Sequence, residues 1–459
     1  MNDVVSGSSS AASSGAVASL RGFFRGATRF VLLRRAQRTI TALQRPVEPR
    51  DRAPRLLGWL AFLVYFAIGS KIERAGAFNG DNYFFNADCV RVVANVFRAD
   101  QVFLSAVAGH PLIAILVSPL VAVLRLVLTG TGNLPERLLC HAAAAGAVAL
   151  AYRVYRAFGA SRALSTWGAL VYGASCSELV LGSIIETFAF VSLTLTASVL
   201  VAERTDRVLG NALASVATFG VNAALVAHAL FAPPLLWLGR MRFARWAPRV
   251  LLFVVLAVAL ALAVAKIQEL VYPGVGFFFQ KDAVTEYHPW WAIPDTRSAV
   301  SFRASRLVPH FFAYSIVAPS PLYSSDSAKM TTFMQADRLA SYDVFGKAVV
   351  TQWIVLALIA AVNNVRSLFL GDGVERSRVV LLVGWLLGAF VLFMVFGDDL
   401  LLYSSLWTFH LVTWVVLGMR RFVGSGGAQK RWAISVGFAF AAALAANNAV
   451  FVVRMLAPY

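Results

Sequence analysis

Between Phe85 and Pro111 the chain places Asp88, Arg91 and His110 beside its first long apolar runs. Asp88 and Arg91 are three residues apart, so on a helix they share a face. There they form a plain surface ion pair, or a proton acceptor with a cation that can hold a phosphate. "NADCV" also suits a helix start with Asp88 at the cap. His110-Pro111 opens an apolar run, and a proline favours a first helical turn, so His110 is an interfacial structural histidine or a ligand-facing one. Glu186 lies in "SIIETFAF" at a membrane boundary. An unpaired carboxylate carried to mid-bilayer costs about 2.5–3.5 kcal/mol, so Glu186 is paired, solvated in a cavity or capping a helix with Thr187. Asp398 and Asp399 precede "LLLYSSLWTFHL", in which Tyr403 and His410 share a helical face.

The elements that must hold these residues are membrane helices. Of 459 residues, 59% are hydrophobic and 14% charged, with mean hydropathy +0.70. Soluble domains carry about 25% charged residues. Eleven apolar runs are read as spans: 56–72, 111–128, 137–156, 163–182, 185–202, 210–237, 250–268, 345–362, 379–396, 400–418 and 432–453. They exceed the roughly 10-residue strands of a membrane barrel. The expected fold is therefore an all-α polytopic membrane protein with two large extracytoplasmic loops, 73–108 and 269–344.

The net charge of +18 is distributed by membrane side. Ten arginines lie between Arg21 and Arg55, and further basic clusters fall at 240–249 and 420–431. That is the positive-inside pattern and suits anionic headgroups, which argues against nucleic acid as partner. Residues 1–16 are Ser/Gly/Ala-rich and read as disordered. Residues 20–43 read as an interfacial amphipathic helix or a solvated basic tail, so 1–55 forms a basic N-terminus ahead of a transmembrane domain, 56–459. Cys89, Cys140 and Cys176 form no CxxC pair and read as small apolar fillers, with no metal site. One conflict stands: this alternation of spans puts Arg153, Arg156 and Arg162 outside, against the charge rule, unless a segment between 111 and 202 is re-entrant or double.

The order of the pieces "FNADCVRVV", "GHPLIAILVSPL", "GSIIETFAF", "FGVN" and "GDDLLLYSSLWTFHL" resembles the GT-C superfamily of integral-membrane glycosyltransferases, among them the protein O-mannosyltransferases and the lipid A aminoarabinose transferases. The resemblance implies a sugar passed from a polyprenyl-phosphate donor to a lipid, glycan or protein acceptor on the outer face of a bacterial inner membrane, with the N-terminus cytoplasmic. It places the catalytic base at Asp88. The chain departs from the pattern in reading His110-Pro111-Leu112 where many relatives have a second proline, and in lacking Asp-x-Asp, since Asp81 and Asp88 are seven apart. Such chemistry needs a base for the acceptor hydroxyl, cations for the departing phosphate and a groove for the prenyl chain; positioning and charge supply most of the barrier reduction. Arg91, His110, Glu186, Lys281, Arg303, Arg306, Asp398, Asp399 and Tyr403 are the candidate donor or acceptor contacts. Arg303 and Arg306 sit one turn apart, and arginine holds phosphate bidentately. No cofactor is expected beyond the lipid-linked sugar as substrate, and membrane lipids are the expected surroundings. A transporter or flippase of lipid-linked sugars, or an oligosaccharide polymerase or ligase, would use similar substrates; a transporter should carry its polar centre near mid-membrane.

Overall fold

The computed structural model describes residues 51–76, 87, 89–98, 110–275, 296–323, 331–333, 339–395, 400–423 and 427–457, all within the compact unit Arg50–Tyr459. It is an all-α, multi-pass membrane architecture. Among the described residues, seven helices are long and apolar enough to cross a bilayer, and the apolar helices Ile113–Val127, Val208–Val221 and Ala223–Leu238 are shorter. The expected stretches 1–16 and 20–43, and most of the loop tips, lie outside the described residues.

Helix α1 (Ala53–Arg74) starts where Asp51 accepts hydrogen bonds from the Tyr152 hydroxyl and pairs with Arg162 at 3.2 Å. Its last turn carries Glu73, which pairs at 3.0 Å with Arg137 in the first turn of α3 (Leu134–Ala157). These contacts make α1 and α3 antiparallel and define two ends of the bundle. The one holding Arg153, Arg156 and Arg162 is called here the basic end; the other is the loop end. Gly69 lets the two helices close: a Cβ there would meet His141 Nε2 and the Ser183 carbonyl at 2.6 Å.

The run read as a span at 111–128 holds α2 (Ile113–Val127), and both of its ends touch the loop end. Leu112 packs on Gly220, in the last turn of α7 (Val208–Val221), while Arg125 bonds Glu136 Oε1 at 2.6 Å in the first turn of α3. Leu116, Leu120, Val123 and Leu126 are exposed along one face of it. With α2 lying across one end, the next helix runs the other way, and Arg153, Arg156 and Arg162 fall beside the start of α1.

Helix α4 (Arg162–Ala174) breaks at Ser175 into α5 (Cys176–Leu181). The freed backbone groups are satisfied inside the protein, as an apolar surrounding demands. Cys176 and Ser177 N–H donate to the Ile316 and Ser315 carbonyls at 2.9 and 3.0 Å. Asn448 Nδ2 donates to the Ala174 and Ile316 carbonyls at 2.7 and 2.8 Å. Helix α6 (Phe188–Arg204) returns to the basic end and α7 comes back, Thr218 Oγ1 donating to the Thr194 carbonyl at 3.2 Å.

The expected single span 210–237 is likewise broken. Asn222 caps a short turn by accepting from Ala224 N–H at 2.9 Å, and α8 (Val226–Leu238) follows. Pro233 inside α8 has no N–H for the Ala229 carbonyl. Ser215 Oγ of α7 supplies the missing donor at 2.6 Å. Helix α9 (Phe243–Val271) is peripheral, with 11% of its apolar window buried.

Part of the expected loop 269–344 is folded into the bundle. Helix α10 (Thr296–Pro309) continues through a wide π turn, His310–Tyr314, and residues Ser315–Ala318 are buried against α5 and Asn448. A short hairpin pairs Leu322–Tyr323 with Thr331–Thr332. Four long helices complete the chain: α11 (Val344–Leu370), α12 (Gly373–Val395), α13 (Ser405–Val423) and α14 (Gly427–Leu456). Helix α13 is the central one, with 89% of its window buried.

Candidate functional site

The N-terminal end of α6 gathers more of the expected site than any other place among the described residues. Glu186 is 3% exposed and its Oε2 accepts the Thr187 N–H at 2.8 Å. It thereby gives a partner to one of the N–H groups that a helix start leaves free. Cys140 Sγ of α3 contacts the Glu186 carbonyl at 3.6 Å.

Aromatic rings extend from this point. Phe188 meets the Tyr403 ring edge-on at 5.8 Å, and Tyr403 stacks on Phe393 at 5.2 Å. Arg303 Nε of α10 donates to the Phe393 carbonyl at 3.0 Å, so the second loop reaches the same wall. From the first loop, the helical turn Cys89–Arg91 runs into a π turn, Val92–Phe97, whose Phe97 ring lies 6.2 Å from Phe190. Ser118 of α2 donates to the Val96 carbonyl at 2.5 Å, and Tyr272 at the end of α9 donates to the Ala114 carbonyl at 3.1 Å. The first loop therefore reaches the start of α6 through Phe97, and the second reaches the Phe393 end of α12 through Arg303.

The expected residues divide as follows. Tyr403 lies between Phe188, two residues after Glu186, and Phe393, whose carbonyl accepts from Arg303. His110 lies one helix away, its Nδ1–H donating to the Val221 carbonyl at 2.6 Å, at the end of α7. Arg306 is buried, with its guanidinium 4.5 Å over the Phe302 ring and its carbonyl accepting from His310 Nδ1–H at 2.8 Å. So Arg303 and Arg306, though one turn apart, engage different surroundings. His310, outside the long helices, is pushed down to about 4, mainly by burial, with the Arg306 and Arg303 charges adding to the effect. Arg91 is placed in its helical turn, but its side chain lies outside the described residues, as do Asp88, Lys281, Asp398 and Asp399 altogether. Ala87 and Cys89, the neighbours of Asp88 in sequence, are buried. Tyr403 and His410 do not line one wall: His410 is buried deeper, its Nε2 3.1 Å from His228 Nε2 on α8. His228 is an interhelical hydrogen-bonder, as its position in an apolar run implies. Cys89, Cys140 and Cys176 are all buried, and none of them is in a disulfide.

Sequence reasoning missed two buried groups near this region. Glu178 stands in the α4–α5 break, its Oε1 accepting from the Tyr172 hydroxyl at 2.9 Å and Ser192 Oγ at 2.6 Å. The signal was Ser175-x-x-Glu178, the spacing of a helix-start capping box inside an apolar run. His141 donates from Nδ1 to the Gly182 carbonyl at 2.7 Å while its Nε2 has no partner. Among the described residues no group of three or more metal-ligating side chains forms. Set against known proteins, the chain matches no family model, no curated sequence and no solved structure.

Proposed function

We propose that the chain is an inverting glycosyltransferase that uses a polyprenyl-phosphate sugar at the loop end of the bundle. The observation that carries this reading is that both loops reach the ring cluster around the start of α6, the first through Phe97 on Phe190 and the second through Arg303 on Phe393, whose ring stacks on Tyr403 beside Phe188. In the proposed reaction Asp88 takes the proton of an acceptor hydroxyl. The acceptor oxygen attacks the anomeric carbon, the bond from that carbon to the phosphate oxygen breaks, and polyprenyl phosphate leaves with the bonding pair. Arg303, with Arg91, Lys281 and Arg306, provides the cationic surroundings for that phosphate, His110 is a further contact to the donor, and Glu186, Asp398 and Asp399 orient the acceptor or its sugar. The acceptor is a lipid, a glycan or a protein.

The reading includes a topology. Helices α1, α3, α4 with α5, α6, α7, α8, α9, α11, α12, α13 and α14 cross the membrane, eleven crossings in all, and α2 lies along its surface. The basic end faces the cytoplasm of a bacterial inner membrane and the loop end faces outward.

The test is transfer by the purified full chain from polyprenyl-phosphate sugars to envelope glycolipids, glycans and peptides. Asp88→Asn should lower turnover by about 10²–10⁴-fold while donor binding persists. Near-normal turnover in that variant removes Asp88 from the mechanism, and absence of transfer from every polyprenyl-phosphate sugar removes the reading.

A second reading, a transporter or flippase of lipid-linked sugars, draws on the two broken helices and on Glu178 in one of the breaks. It predicts that Glu178→Gln stops movement of lipid-linked sugar across vesicles while Asp88→Asn leaves it intact.

A further inference from the structure

At the opposite side of the bundle from the α6 site, helices α4, α11 and α14 part to leave a cavity of about 260 Å³. Leu164, Trp167, Val355, Ile359, Gly437 and Phe440 line it. At about 30 Å³ per water-sized group, it holds on the order of nine such groups, the size of a short stretch of hydrocarbon chain. Val355 and Val436 on its rim are 49% and 42% exposed, so it opens sideways from the bundle among apolar side chains.

Two observations say what enters it. Trp167 is 3% exposed, yet its Nε1–H has no hydrogen-bond partner. That donor lies over Gly437, where a Cβ would stand 3.2 Å from Nε1, so the indole edge faces a wall of the same cavity. A buried donor in apolar surroundings without an acceptor is costly, and it is relieved by an acceptor delivered on an apolar chain. The second observation is charge. Arg162 opens α4 immediately before the lining residue Ala163, and its side chain is 62% exposed although it also pairs with Asp51. Lys430 and Arg431 precede the lining residue Ala433 on α14, and neither helix has an acidic residue in its first turn. Trp167 lies five residues beyond Arg162, about 7.5 Å along the helix. That spacing places a headgroup phosphate at the basic rim and an ester carbonyl level with the indole.

We propose that this cavity is a binding site for one acyl chain of an anionic phospholipid from the leaflet at the basic end. The phosphate meets the basic first turns of α4 and α14, the ester carbonyl accepts from Trp167 Nε1–H, and the chain fills the space beside Val355 and Phe440. The site goes beyond the transferase reading and does not depend on it: it lies at the other end of α4 and α14, and its ligand carries no sugar.

The test uses the full chain, delipidated in detergent and titrated with phosphatidylglycerol or phosphatidylcholine whose acyl chains carry bromine, a contact quencher of tryptophan. The chain has 11 tryptophans, so the Trp167 component is the difference between the native chain and Trp167→Phe. Phosphatidylglycerol should quench that component at lower concentration than phosphatidylcholine. Lys430→Gln with Arg431→Gln should raise the phosphatidylglycerol midpoint by about fivefold per residue. Val355→Phe, which adds bulk at the exposed rim, should weaken quenching severalfold without changing the helical spectrum. Equal midpoints for the two lipids, or a Trp167 component that neither lipid quenches, would overturn the site. Transfer assays play no part in the readout, so the failure of either proposal leaves the other standing.

Discussion

His310 is a single side chain whose charge state the fold controls. Burial and two arginines push it from its ordinary 6.5 down to about 4, so it is neutral at neutral pH. A group depressed in the folded state binds its proton more readily when unfolded. Its contribution is therefore full above 6.5 and is lost as pH falls toward 4. His310→Gln should flatten the fall of the thermal unfolding midpoint between pH 6.5 and pH 4, read by static light scattering in detergent; an unchanged slope would mean the histidine is not buried as described. Residue roles were legible in the sequence where a charged group interrupts an apolar run: Glu186 stood out that way, and it is buried with its Oε2 on the Thr187 N–H. The His228–His410 contact was not legible, because the two are 182 positions apart and each alone looks like a lone histidine in a greasy helix. Glu178 was passed over because its partners, Tyr172 and Ser192, come from another turn and another helix.

Helices pack here at glycines, and glycines divide by what surrounds them. A Cβ on Gly418 of α13 would come within 2.5 Å of the Cα and carbonyl oxygen of Ala360 on α11, backbone atoms that cannot rotate aside. Gly384 and Gly388 on α12 face open space. Gly418→Ala should cost about 1–3 kcal/mol and visibly lower the unfolding midpoint. Gly384→Ala and Gly388→Ala should be neutral, or stabilising by up to about 1 kcal/mol. The opposite order of effects would contradict the packing of α11 on α13. At this scale the sequence showed where apolar helices run but not where they bend. The run 210–237 hides its break because the turning residue, Asn222, satisfies a neighbouring N–H itself and the run stays apolar on both sides of it. Hydropathy alone also cannot separate a crossing helix from one lying across the bundle end: α2 is apolar like its neighbours, and only its Leu112–Gly220 and Arg125–Glu136 contacts show that both of its ends touch the same end of the bundle.

Across the whole molecule, the two ends differ in charge and in what they offer. The proposed topology predicts that cysteines introduced at Gly130 and Gly274, in a chain freed of its own three, react with impermeant thiol reagents from the outer side of spheroplasts. A cysteine at Asp206 should react only after lysis. Labelling of Gly130→Cys from the cytoplasmic side alone would mean that α2 does cross. The basic end is also where distant parts of the chain are tied. Glu203 at the end of α6 is clamped by Arg240 and by Arg378, the latter at 2.5 Å. Arg378 and Arg420 further donate to the Ala157 and Phe158 carbonyls, the open C-terminal end of α3. A ribosome must therefore deliver residue 420 before the end of a helix finished at residue 157 has its final partners. Until then the early helices wait in the bilayer with that end bare. The late helices act as a latch on the early ones, and a chain stopped short of α12 would be inserted but not closed.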